Sequence, residues 1–174
     1  MKPLENTKIN RQRGSALIVS LIILLILTIV GVQGMRTTTL EEKMAGNYLD
    51  NQVAFEAAEH ALLEADRWLT VKTSAPIDDD TGSNGVWNSG VPKPYDDSWW
   101  ANAVSAGSDI NGLSGNTLSA QPKYYIEQKQ IVKNSAEIGS LAQPPTYYYQ
   151  VTARGQGGVS SSVVLLQLSY AMKF

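Results

Sequence analysis

The longest hydrophobic stretch of the chain lies close to its start. The 21 residues from Ser15 to Met35 contain no charged side chain and are mostly Leu, Ile and Val. A helix rises about 1.5 Å per residue, so this stretch is long enough to cross a bilayer. Its apolar residues lie all round such a helix rather than on one face. The pattern therefore predicts a transmembrane segment, which we assign to residues 15–36.

The pattern changes after Arg36 but stays helical. Small or apolar residues recur there at spacings of three and four, as on an amphipathic helix. We assign this amphipathic half to residues 37–69, so a single helix is predicted over residues 15–69. Four alanines would form a flat stripe that lets a β-sheet pack closely: Ala57, Ala58, Ala61 and Ala65.

Two glycines and three threonines weaken the middle of this helix. Gly31, Gly34 and residues 37–39 have low helix propensity, and Thr39 to Glu42 has the pattern of a capping box. In a bilayer the segment should stay helical, because unpaired backbone groups are costly there. We predict local unwinding around the two glycines in a packed filament; the alternative is a continuous helix with a small irregularity.

The remaining residues, 70–174, predict a globular domain in two parts. Residues 70–122 are rich in Pro, Gly, Asn and Asp, which mark turns. Three tryptophans are expected to anchor this loop-rich part to the domain: Trp87, Trp99 and Trp100.

Residues 123–172 predict three or four antiparallel strands. The alternation is clearest from Tyr147 to Arg154 and from Val159 to Ala171, with a hairpin signal at Gly155–Gly158 between them. The predicted fold is α+β, a long N-terminal helix packed on a C-terminal antiparallel sheet.

Charge is distributed unevenly along the chain. The first 14 residues carry four basic side chains against one acidic, a balance of +3, while the whole chain is at −2. The remainder is therefore near −5, and nothing suggests direct contact with nucleic acid. The basic side chains before the apolar segment place the N-terminus in the cytoplasm and the domain outside. The absence of cysteine excludes disulfides, thiolate metal ligands and a cysteine nucleophile.

A conventional secretory signal has a shorter apolar region, followed by a small-x-small cleavage site. Here the apolar run is longer, and Gln33-Gly34-Met35-Arg36 closes it. At its other end, Arg-Gln-Arg-Gly followed by Ser-Ala-Leu-Ile-Val-Ser-Leu resembles the class III signal of type IV prepilins. The resemblance implies that prepilin peptidase removes residues 1–14 as a leader, cutting after Gly14, and that Ser15 is then N-methylated.

A longer resemblance follows downstream. Residues 35–69, MRTTTLEEKMAGNYLDNQVAFEAAEHALLEADRWL, are similar to the N-terminal region of PilX-type minor pilins, and PKYYIEQ and YYQVTARGQGG match more loosely. This implies a pilin-like fold and a non-enzymatic minor pilin that helps to prime type IV pilus assembly, in support of twitching motility, adhesion or DNA uptake. The implied partners are other minor pilins, the major pilin and a PilY-type tip adhesin. The implied location is the inner membrane and then the extracellular pilus.

One position departs from the pattern of most pilins. The fifth residue after the implied cleavage site is Val19, where pilins generally carry a glutamate that is thought to meet the terminal amine of a neighbouring subunit. A subunit with nothing above it has no such amine to meet, and Val19 avoids burying an unpaired carboxylate. This favours a position at or near the tip, as in GspK-type pseudopilins. The alternative is that the match has drifted at this position.

Candidate chemistry is sparse. His60 is the single histidine, so no second His or Cys can complete a zinc site with it. No nucleophile elbow, Walker loop or dinucleotide fingerprint occurs. Asp78 and Asp80 suggest a calcium loop, but the EF-hand register from Asp80 fails at Gly82 and Val91. We expect no cofactor, and a solvated acidic turn is the preferred interpretation.

Two other functions remain open from the sequence. A pseudopilin of a type II secretion system would have the same architecture with different partners. A membrane-tethered periplasmic enzyme or binding protein would keep an intact N-terminus and carry a concave polar pocket.

Overall fold

The computed structural model describes residues 14–91, 96–106, 118–133 and 144–174. The predicted leader, apart from Gly14, lies outside these ranges, and so do residues 134–143 within the part predicted to form strands. By its internal contacts the chain divides into two units, residues 1–45 and 46–174, and each is described by itself.

Helix α1, Ser15–Thr70, runs through both units, in agreement with the predicted helix. Within the first unit every described side chain is exposed. The hydroxyls inside the apolar segment bond back to the helix: Ser20 Oγ donates to the Leu17 carbonyl at 2.9 Å, and Thr28 Oγ1 donates to the Leu25 carbonyl at 2.8 Å. These polar groups therefore need no partner outside the helix, which suits an apolar surrounding.

The helix is continuous through the weak zone. Thr37, Thr38 and Thr39 donate their hydroxyls to the carbonyls four residues earlier, at 3.1, 3.2 and 3.0 Å. Back-bonding of this kind competes with the helix ladder and weakens it slightly without ending it. The single chain thus has the continuous helix of the alternative interpretation, and the capping-box pattern lies in its interior. Unwinding at Gly31 and Gly34 within a filament stays a prediction.

The second unit adds a sheet and a short helix α2, Asp97–Trp100. Its strands are β1 (Val86–Asn88), β2 (Val104–Ser105), β3 (Lys123–Val132), β4 (Thr146–Gln156) and β5 (Val163–Lys173). Their order across the sheet is β1-β3-β4-β5, and β2 also pairs with β3. The three long strands are antiparallel neighbours, as the alternation of residues 123–172 predicts.

The sheet differs from the prediction in one respect, because it is mixed rather than purely antiparallel. Strand β1 comes from the loop-rich part and pairs parallel with β3, with Val86 opposite Ile126. A parallel partner needs a long crossover connection, and here the segment containing α2 and β2 provides it. A strand of three residues is too short to show alternation, so its sequence gives no periodic signal.

The core lies between the sheet and the second half of α1. Ala54 and the four predicted alanines are fully buried on this helix face. Tyr149, Val151 and Ala153 of β4 and Ile126 of β3 pack in the same core. Small residues on the helix and alternate residues on the strands thus bring two backbones close together, and the predicted alanine stripe is confirmed.

The opposite face of the sheet holds a second, aromatic cluster. Trp100 and Tyr125 are buried, and Trp99 meets the Tyr125 ring edge-on with 4.5 Å between centroids. Trp87 packs against the same cluster. Asp96 caps α2 by accepting from the Trp99 amide at 2.8 Å. The tryptophans therefore anchor the loop-rich part to the sheet, as predicted.

Candidate functional site

The predicted processing residues stand at the start of α1. Gly14 precedes the helix and is exposed, and a Cβ added there would meet no atom within 4 Å. Ser15 is the first helical residue. Within the described part of the chain, no atom lies close enough to Gly14 to require a glycine there.

Val19 lies one turn further along, in the first half of α1, where the apolar side chains are all exposed. From Leu17 to Val32 each Leu, Ile and Val exposes at least half of its surface. A continuous apolar surface of this size is far larger than isolated soluble proteins leave open. Among the described residues α1 is the one helix long and apolar enough to span a membrane, a criterion of length and composition.

Gly31 and Gly34 lie on the same exposed segment. An added Cβ at either position would meet no atom within 4 Å. The single chain therefore gives no packing reason for these two glycines. Any requirement for them must come from a neighbour that approaches the helix closely or from a need for local flexibility.

In the second unit, Asp50 ties α1 to the hairpin between β4 and β5. Its carboxylate accepts from the backbone amides of Gly158 at 2.6 Å and Val159 at 3.3 Å. The Ser162 hydroxyl bond lowers the pKa of Asp50 most; desolvation opposes this shift, and the two amide bonds add to it. Sequence reasoning missed this contact, although the glycine-rich turn was a sign of close backbone approach.

Gly155 belongs to the same junction. It lies inside β4 rather than in the hairpin turn that its sequence neighbourhood suggested. A Cβ at this position would collide with the Ala54 carbonyl oxygen and the Ala58 amide nitrogen of α1. The glycine therefore sets how closely the sheet approaches the helix.

The acidic turn is organised by the middle aspartate of the run. Asp79 accepts from the Thr81 amide at 2.8 Å, from the Ser83 amide at 3.1 Å and from both hydroxyls. The Ser83 hydroxyl is the largest cause that holds the pKa of Asp79 well below its usual range, against a smaller effect of desolvation. Gly82 and Gly85 adopt left-handed φ values of 69° and 83° to close the turn.

The calcium prediction at Asp78 and Asp80 is not tested by this geometry. Over the described ranges no group of three or more His, Asp or Glu side chains is placed to hold a metal. His60 is partly buried on α1, and its Nδ1 has no hydrogen-bond partner there.

A groove of about 320 Å³ lies beside α2. Two cations line it, and both are engaged within the fold. Arg154 pairs with Asp97 and lies over the Trp100 ring, 5.7 Å from its centroid. Lys123 donates to the Trp100 carbonyl oxygen at 2.9 Å. These contacts fasten α2 to the sheet, which gives the groove a structural explanation.

The three tyrosines of β4 divide between the two faces of the sheet. Tyr149 is buried, and burial is the main cause that raises its pKa to about 12. Tyr147 stacks on it with 6.3 Å between ring centroids, and Phe174 meets both rings edge-on. Tyr148 points the other way and is exposed. Core packing thus accounts for two of the three.

Two family models match the chain. The PilX N-terminal model matches residues 13–62, and the model for the type IV pilus assembly protein PilX C-terminal region matches residues 45–172. The chain belongs to the PilX family. Membership supports a role as a type IV pilus minor pilin, and it implies other pilus components as partners.

The PilX N-terminal match includes the apolar part of α1, which suggests a membrane-anchored pilus component. No curated protein and no solved structure gives a significant match to the chain.

Proposed function

We propose that this PilX-family chain is a minor pilin that primes pilus assembly at or near the tip, together with other minor pilins and a PilY-type tip adhesin. Before assembly it is stored in the inner membrane by residues 15–36, with its domain in the periplasm. Prepilin peptidase removes residues 1–14, and Ser15 is N-methylated. The protein has no catalytic role, and it supports twitching motility, adhesion or DNA uptake through the pilus.

The uncovered apolar helix carries this proposal. Leu, Ile and Val side chains from Leu17 to Val32 are exposed all round, and the hydroxyls of Ser20 and Thr28 are bonded within the helix. Such a segment suits lipid and a bundle of similar helices equally well. Because lipid and protein are similarly apolar, association in the bundle depends on close packing.

Val19 supports the position at the tip. A carboxylate here would need the terminal amine of a neighbour, and an unpaired buried charge is costly. A side chain without charge suits a subunit that has no neighbour above it. The major pilin and other minor pilins then pack below.

The decisive experiment replaces Gly14. Among the described residues, a Cβ added at this position meets no atom within 4 Å, so we expect the fold to be kept. We expect Gly14→Trp to block processing, so that intact-mass analysis finds residues 1–14 still attached and the protein is lost from sheared pili. Piliation should fall with it.

Gly14→Ala is the matched control and should retain most processing, because it adds the smallest side chain. Wild-type protein should lack residues 1–14 and carry one additional methyl group. A Gly14→Trp protein that stays uncleaved in fully piliated cells would contradict the proposal.

A further inference from the structure

The groove beside α2 places two cations side by side. The strand register sets Lys123 of β3 directly opposite Arg154 of β4, so both side chains stand on the same face of the sheet. Both line the groove, whose volume of about 320 Å³ is enough for a small ligand. Among the described lining residues Asp97 is the one acid. The groove is therefore net positive, although the chain beyond residue 14 is net negative.

Fastening α2 to the sheet uses only part of what the two cations can donate. Arg154 donates to Asp97 through Nη2, and a guanidinium carries further N–H groups on its other nitrogens. Lys123 Nζ donates to the Trp100 carbonyl oxygen at 2.9 Å and reaches the Ala101 carbonyl oxygen at 3.5 Å, and an ammonium has one more N–H than these contacts use. Within the described contacts, both cations thus keep donors for a ligand in the groove.

The ion pair of Arg154 with Asp97 is unequal. The arginine side chain exposes 14% of its surface and the aspartate side chain 88%. The guanidinium also lies over the Trp100 ring, so the cation is held in the groove wall while the anion stands in water. Such an exposed carboxylate holds its partner weakly, whereas a largely desolvated cation gains from an anion that pairs with it fully. Asp97 is therefore an exchangeable counter-ion, and its own carboxylate shows that this guanidinium accepts one.

We propose that the groove binds a small organic carboxylate, which replaces the Asp97 carboxylate at Arg154. The planar guanidinium matches the two oxygens of such a group, and the Lys123 ammonium supplies a second charged contact. Gln121 and Gln156 also line the groove, and their amides suit the uncharged polar atoms of the ligand. Two sources share this chemistry, a sugar acid and an amino-acid derivative. The proposal does not depend on entry of the chain into a pilus.

The test titrates the full chain in detergent micelles with galacturonate and with N-acetylalanine, at constant ionic strength. Each acid has a neutral control of the same size, galactose and N-acetylalaninamide. We expect at least one acid to bind in the millimolar range and to shift the NMR signals of the Trp100 indole and the Ala101 and Lys123 amides, and the tighter acid identifies the source. If neither acid shifts these signals, or if a neutral control binds as tightly as its acid, the proposal is wrong.

Replacing Asp97 gives the sharper test, because the expected change is a gain. Asp97→Asn removes the competing carboxylate and should tighten acid binding at least about threefold. Helix α2 should persist, since its cap is Asp96, which accepts from the Trp99 amide. Glu59→Gln makes the same change of charge at an exposed position of α1 and should leave the affinity unchanged. Binding to Asp97→Asn no tighter than to Glu59→Gln would overturn the exchange of carboxylates.

Removing the guanidinium should have the opposite effect. Arg154→Gln should weaken acid binding at least about tenfold, because it removes a charged hydrogen-bond donor. Lys173→Gln removes a cation at the opposite end of the long strands, where Lys173 pairs with Thr146, and should leave binding unchanged. Thermal unfolding checks that each variant folds, and if Arg154→Gln does not, Asp97→Asn decides alone. Equal losses in Arg154→Gln and Lys173→Gln would mean a general attraction of anions and refute the site.

Discussion

The two halves of α1 differ in the size of their apolar side chains and in whether the chain itself covers them. In the first half, to Ala45, large apolar side chains cover the helix and all are exposed. In the second half, from Gly46, the helix buries one face, and five of its six buried residues are alanines. One helix thus carries bulky side chains where lipid or other chains must cover it, and small ones where its own sheet covers it.

The difference is one of distance between backbones. The alanine face lets β4 approach so closely that Gly155 has no room for a Cβ between Ala54 and Ala58. In the first half the glycines have open space around them. Packing within the chain therefore limits which residues fit on the second half of α1. The residues of the first half are limited only by what surrounds that half outside the chain.

The largest loss of stability is expected where the backbones of β4 and α1 meet. Gly155→Val should lower the free energy of unfolding by about 3 kcal/mol, because the side chain has to displace the backbone of α1. Thermal unfolding of the full chain in detergent should show a midpoint lower by about 10 °C. A midpoint within a few degrees of wild type would show that the close approach does not limit packing.

The control lies in the other half of the same helix. Gly31→Ala should leave the unfolding of the domain unchanged, because the added methyl group meets no atom. The substitution should stabilise the helix itself by about 1 kcal/mol, because alanine has a higher helix propensity than glycine. If this variant unfolded the domain, the two halves would not differ as described.

The next effect concerns assembly alone. Val19→Glu should reduce the amount of protein in sheared pili roughly tenfold, since a carboxylate without a terminal amine to meet costs at least about 1.4 kcal/mol. Val19→Leu keeps the apolar surface and should assemble normally. Normal or increased incorporation of Val19→Glu would argue against a position at the tip.

The smallest effect is electrostatic and belongs to the second half. Asp50 has a pKa lowered from 3.8, so its bonds to the hairpin stabilise the domain fully above that pH. They are lost as the pH falls through the lower pKa of the folded state. Asp50→Asn should therefore be less stable than wild type at neutral pH, with the gap closing in acid.

Unfolding measured between neutral pH and about pH 2 checks this. Glu59→Gln, exposed on the same helix, is the control for replacing a carboxylate elsewhere on α1. If the stability difference between Asp50→Asn and wild type stayed constant down to the lowest pH, the ionised Asp50 carboxylate would not be its cause.

Periodicity was sufficient to predict the elements with long repeats. Helix α1 follows from the apolar run and the alanine spacing, β4 and β5 follow from alternation, and β3 follows from its Tyr, Ile and Val content. The alternation also places Tyr147 and Tyr149 on one face of β4 and Tyr148 on the other, and the structure buries Tyr149 and exposes Tyr148. Long, regular segments carry their own pattern, so the sequence defines them without knowledge of the partners.

The features that were missed depend on contacts between distant residues. Strand β1 is too short for a pattern and finds its partner β3 about 40 residues later. Asp50 is one of several acidic residues in the second half of α1, and only the fold brings it to Gly158. Gly155 looks like a turn residue until the helix is placed against β4. The roles assigned to Gly14, Ser15 and Val19 depend on one segment alone, so the sequence is enough to propose them, and they stay predictions.

The hydroxyls of Ser20 and Thr28 donate to carbonyls of the same helix, so these hydrogen bonds do not depend on what surrounds the helix. Moving this segment out of lipid and back again would leave both of these bonds intact, so neither hydroxyl would add a polar barrier in either direction. If the chain enters a pilus as proposed, these two side chains would favour neither its entry nor its return to the membrane.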